Sequence, residues 1–174
     1  IQLSYGQSAV ISGWIVAPMA LTAMFGKSAV IKILNKFGYR NTLMFNTFII
    51  GFLIILMAIP GVSTSFYWFI PIIAAVGFFN SIQFTAMNGI SISNLRNEMT
   101  SSGNSLLSVN QQISLGFGIA FGLAILRLFQ KIIPENLHAS FQYTFLVMGI
   151  ITIASGFVFK RLHFKDGDNM KSAD

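Results

Sequence analysis

The side chains with chemistry to offer in this chain are amides and hydroxyls set in apolar sequence. Asn80, Gln83 or Phe84, Met87 or Asn88, and Ser91 recur at three- to four-residue spacing, which places them on one face of a helix. Asn104, Ser108, Gln111 and Gln112 continue the polar band over the next apolar run. Such groups donate and accept hydrogen bonds without titrating near neutral pH, so they suit recognition of a guest better than bond breaking. Phe84 and Met87, interleaved with them, offer adaptable apolar contact for a small hydrophobic or cationic substrate. On this reading Asn80, Gln83, Phe84, Met87, Asn88, Ser91, Asn104, Ser108 and Gln111 wall a substrate pathway. The plainer alternative is that each amide bonds a neighbouring helix, contributing about 0.6 to 2 kcal/mol.

Catalysis is poorly supplied. Cysteine is absent, which removes thiolate metal sites and thiol nucleophiles. All five acidic residues, Glu98, Glu135, Asp166, Asp168 and Asp174, fall outside the apolar runs. No run offers a nucleophile with a base or a pair of carboxylates, so no enzyme, metal site or cofactor is expected. His138 and His163 also lie outside the runs and read as solvated surface residues.

The elements that must carry the polar band are membrane helices. The 174 residues are 54% hydrophobic and 9% charged, whereas a soluble domain carries charge on about a quarter of its residues. The net charge of +6 does not point to nucleic acid, because no basic residue sits in an aromatic or arginine-rich context. Crossing the hydrocarbon core takes about 20 mostly apolar residues, and runs at 8–25, 42–59, 66–92, 104–129 and 141–159 approach or meet that length. The fold class expected is all-α and polytopic, with residues 1–159 forming the transmembrane bundle and 160–174 a cytoplasmic tail. Pro18 is expected to bend the first run. The small-residue row Ser114, Gly118 and Gly122 on the fourth suits close helix packing. The uniformly apolar second and fifth runs are expected to face lipid, and the other three the interior.

Between the first two runs, Gly26 to Leu43 reads as a short loop carrying Lys27, Lys32, Lys36 and Arg40. A second turn, Asn94 to Gly103, carries Arg96 and Glu98. With the first loop inside, nine of the 11 basic residues fall on the cytoplasmic side and only Arg127 and Lys131 outside, the asymmetry that orients membrane proteins. The chain then enters from outside and ends in the cytoplasm. Ile1 is not an initiator Met, and the chain is expected to be a piece of a longer protein.

The stretch ILNKFGYRNTL resembles the C-terminal-half copy of the inter-helix signature of major facilitator transporters, Gly-x-x-x-Asp-Arg-x-Gly-Arg-Arg. Asn35, Lys36, Phe37, Gly38, Tyr39 and Arg40 take the matching places, with Asn35 where Asp is usual and Ile31 where Gly is usual. NLRNEMTSSGNSLLSVNQQISLGFGIAF is similar to the stretch leading into and through the penultimate helix of EmrB/QacA-type multidrug:proton antiporters, MdtD-like members among them. The resemblance covers essentially the whole chain. It implies the last five helices of the C-terminal six-helix bundle of a bacterial inner-membrane exporter of drug-like compounds driven by protons. It also implies an N-terminal bundle as partner, besides membrane lipid, substrate and proton. An intramembrane acid is the usual proton carrier, so a proton-coupled parent is expected to hold it upstream. The competing reading is a non-transporting membrane subunit or assembly scaffold whose polar faces dock partner helices; about seven further spans encoded upstream would count against it.

Overall fold

A computed structural model describes residues 9–61, 64–93 and 100–162. Its elements are α1 (Ala9–Leu56), a 3-10 turn (Phe66–Trp68) leading into α2 (Phe69–Ile92), α3 (Thr100–Ile132), α4 (Leu137–Gly156) and a closing 3-10 turn (Phe157–Arg161). All four α-helices are long and apolar enough to cross a membrane.

The first holds two crossings. Within α1 the backbone leaves helical dihedrals at Gly38, where φ is 75° and ψ is 165°, a combination that essentially only glycine adopts. Contacts on either side show the chain doubling back there. Before the break, Thr22, Ala23 and Gly26 lie against Ala74, Ser81 and Phe78 of α2. At the break Tyr39 meets Gly89, and beyond it Asn46 returns to Phe79 and Gln83. Limb 9–37 therefore runs parallel to α2, and limb 39–56 runs antiparallel to it.

The same reasoning orders the remainder. Gly51 of the second limb meets Gly149 and Ile153 of α4, while Thr47 and Phe48 meet Gly156, so those two segments are antiparallel. Gly122 lies near Met148, and Phe129 stacks on Tyr143 at 5.5 Å, which sets α3 antiparallel to α4. The described residues thus form five long helical segments that alternate in direction.

The stretch expected to be a loop, 26–43, is instead helical except at Gly38. The reason is local. Val30 and Leu34 stand one turn apart and bury against Ile82 and Ala86, while Lys32 and Lys36 stay exposed on the other side and Lys27 is exposed a turn before Val30. That is an amphipathic helix, with no breaker until Gly38.

Pro18 does not interrupt α1 either, since the residues around it keep helical dihedrals. One turn on, the Thr22 hydroxyl donates to Ala74 O of α2 at 2.6 Å, with Pro18 O at 2.9 Å also in reach. Residues 94–99 of the second turn, with Arg96 and Glu98, and the tail from His163, with Lys165 and Lys171, lie outside the described residues.

Burial within the described residues differs between the segments. On the second limb Thr42, Leu43, Asn46, Thr47 and Gly51 are buried against neighbouring helices, while Phe45, Ile49 and Phe52 are exposed. Its uniform hydropathy hides a polar and small-residue side. A Cβ on Gly51 would stand 3.0 Å from Gly149 O, and one on Gly149 would stand 2.9 Å from Gly51 O, so the two backbones meet with no side chain between them. By contrast α3 presents Leu106, Ile113, Phe117 and Leu123 uncovered. Its small-residue row finds no partner helix among the described residues: Gly116 and Gly118 have nothing within 4 Å, and Gly122 only the Met148 methyl at 3.9 Å.

Candidate functional site: a groove between α2 and α3

Along α2, Phe84, Met87, Asn88 and Ser91 fall on one side of the helix and border a groove of about 530 Å³ shared with α3. From α3, Leu107, Asn110, Gln111 and Leu115 form the opposite wall. The Gln111 amide Nε2 donates to Asn88 Oδ1 at 2.5 Å, bridging the two helices across the groove. The Ser91 hydroxyl donates to Met87 O at 2.7 Å, so its bond is made within its own helix.

Phe84 also borders a second recess, of about 360 Å³, between α2 and the first limb, where Asn80 lies with Val16 and Met19. The two openings meet at the Phe84 ring, which is 53% exposed. Asn80, Phe84, Met87, Asn88 and Ser91 therefore form one continuous band along α2.

Gln83 points elsewhere. Its Nε2 donates to Thr47 Oγ1 at 2.9 Å and its Oε1 accepts from Asn46 Nδ2 at 2.8 Å. Asn46 Nδ2 also reaches Phe79 O at 2.8 Å, and the Thr47 hydroxyl donates to Leu43 O at 2.7 Å. This closed set of bonds ties the second limb to α2 and satisfies polar groups that would be costly to leave unpaired in the bilayer. Asn104 and Ser108 are exposed near the start of α3, Ser108 donating to Asn104 O at 2.9 Å, and neither borders the groove.

The groove walls carry amides, hydroxyls, Met and Phe and no ionisable side chain. Such a surface binds by shape, apolar contact and hydrogen bonds. Among the described residues no three His, Cys, Asp or Glu come together to hold a metal.

At the signature stretch, Asn35 and Lys36 are exposed in the last turn of the first limb, Gly38 makes the reversal and Arg40 is half-buried beyond it. Lys36 Nζ sits 5.3 Å from the centroid of the Phe37 ring. Tyr39, a member of the signature stretch, is only 6% exposed and belongs to the core around Leu43 and Ile82. A solvated His138 is also corrected: it is half-buried, with Nε2 2.9 Å from Pro60 O, which also accepts from Gln142 Nε2 at 3.0 Å. An acceptor there requires the proton on Nε2.

Comparison with known proteins decides the family. The model of the Major Facilitator Superfamily matches residues 1–119. The chain belongs to the major facilitator superfamily. It is similar to "Probable transport protein HsrA" of Haemophilus influenzae, 35% identical over 172 residues, which is 98% of this chain and 37% of that protein. It is 32% identical to "Putative multidrug resistance protein MdtD" of Pectobacterium atrosepticum over 93% of this chain and 36% of the relative. To the protein of the same name from Salmonella paratyphi B it is 31% identical, over 98% and 37%. The chain thus spans a little over a third of the length of the relatives it matches. No solved structure matches. A facilitator chain is a multi-pass membrane protein of a transport family and not an enzyme.

Proposed function

We propose that this facilitator chain is part of a secondary active transporter that exports drug-like compounds across the bacterial inner membrane at the expense of the proton gradient. In this proposal the groove between α2 and α3 is one wall of its substrate pathway. The observation that carries the reading is the Asn88–Gln111 bond spanning an otherwise open groove. Two amides bonded to each other there can exchange that bond for one to a guest, while Phe84 and Met87 give apolar contact that adapts to different shapes. Relatives named for multidrug resistance support the substrate class.

In this reading the proton-carrying acid and the facing bundle belong to the rest of the transporter. The exposed side of α3, with Gly116 and Gly118, turns toward them. The distribution of Lys and Arg supports an orientation with the Gly38 reversal and the tail in the cytoplasm and the first residues outside.

An efflux assay tests it. Expressed from the complete reading frame in a pump-deficient strain, the protein is expected to lower accumulation of several dyes and drugs, and a protonophore to abolish the difference. Unchanged accumulation across a broad panel would sink the drug assignment; export that survives the protonophore would sink the coupling.

A further inference from the structure

A third opening lies on the opposite side of α2 from the substrate groove. The two limbs of α1 diverge just beyond the Gly38 reversal and leave a cleft of about 380 Å³, lined by Ile33, Phe37, Phe45, Ile49, Phe79 and Ile82. Phe37, Phe45 and Ile49 are exposed at its edge. α2 turns Phe79 and Ile82 to this cleft and Phe84 and Asn88 to the groove, so a molecule in one does not touch the other.

We infer that this cleft binds an anionic phospholipid, one acyl chain lying between the limbs and the phosphate at Lys36. Lining and charge support it. The walls are built mainly of apolar side chains, the surface against which an acyl chain packs. The Lys36 ammonium rests over the Phe37 ring that forms one wall, and Lys32, one turn back on the same limb, is exposed too. No acidic residue lines the cleft. A cationic guest is thereby disfavoured and an anionic head group drawn in.

Even the one threonine of the wall adds no polar surface: Thr42 is 5% exposed, and its Oγ1, which has no hydrogen-bond partner, is itself buried. Its isolation has a cause. Thr47, Thr85, Thr144 and Thr152 each donate to the carbonyl four residues earlier. For Thr42 that residue is Gly38, whose ψ of 165° takes its carbonyl out of the helical direction. The hydroxyl oxygen is closed off beneath the wall, so the cleft presents an almost wholly apolar surface to an acyl chain.

The inference rests on membrane crossing alone and stands whether or not the protein exports drugs. Full-length protein in phosphatidylcholine nanodiscs would be given phosphatidylglycerol, or in parallel phosphatidylcholine, carrying a photoreactive group on the acyl chain, and cross-links mapped by mass spectrometry. Phosphatidylglycerol is expected to label the peptides holding Phe45, Ile49 and Phe79 in preference to other membrane-facing peptides. Lys36→Gln, a surface change that leaves the core alone, is expected to lower that labelling about fivefold, toward the phosphatidylcholine level. Ile49→Trp, which fills the cleft, is expected to abolish it for both lipids. Equal labelling by both lipids in the unaltered protein, labelling spread evenly around the helices, or no labelling because another helix covers the cleft would each overturn the site.

Discussion

At the scale of single residues, hydroxyls and amides of identical chemistry have opposite consequences here. The Thr47 hydroxyl accepts from Gln83 and donates to Leu43 O, so Thr47→Val would strand the Gln83 amide donor and is expected to cost about 1–3 kcal/mol. Thr42→Val removes a hydroxyl with no partner and is expected to leave stability unchanged or raise it. Thermal unfolding in detergent separates them: a lowered midpoint only for Thr47→Val fits, and equal losses at both would show that the Thr42 hydroxyl is bonded. Gly38→Ala places a Cβ on a backbone at φ 75° and is expected to cost about 1–3 kcal/mol in the same measurement. At the groove, Asn88→Leu or Gln111→Leu is expected to change the range of exported compounds while membrane insertion stays intact. Drug-susceptibility profiles check this, and equal transport of every substrate would mean that the two amides only pack.

At the scale of elements, what holds the helices together is backbone proximity where glycines face each other. Gly51 and Gly149 leave no space for any side chain, nor does Gly77 against the Met19 backbone. Gly149→Val is therefore expected to separate the second limb from α4 and to remove the folded monodisperse species in fluorescence-detected gel filtration; a normal elution profile would show that the interface yields. The glycines of α3 looked like the packing row in the sequence, yet those of α2, α4 and the second limb do the packing among the described residues. Glycine spacing marks where close approach is possible. Which glycine is approached depends on how far each helix is rotated about its axis, and hydropathy does not record that.

At the scale of the whole molecule, the reversal at Gly38 concentrates Lys32, Lys36 and Arg40 at one end of the bundle. Replacing all three by Gln is expected to weaken the orientation of the chain, read as a mixture of accessible faces in cysteine-accessibility mapping. Unchanged maps would show that the remaining basic residues suffice.

Much of this architecture was legible in the amino-acid order. Apolar length per crossing, the alternation of crossings and the reversal near Gly38 are local properties, set by the bilayer's thickness and by one glycine, and the signature around Asn35 to Arg40 already pointed to the facilitator family. The polar band of α2 was legible too, but its division was not. Gln83 and Asn88 are amides five residues apart in the same helix, with similar hydropathy and similar demands for partners. Only the packed structure turns Gln83 to Asn46 and Thr47, and Asn88 to Gln111 across an open groove. A hydrogen bond needs its partner within about 3 Å, and that partner is brought there by the rotation and approach of another helix more than 20 residues away in the chain.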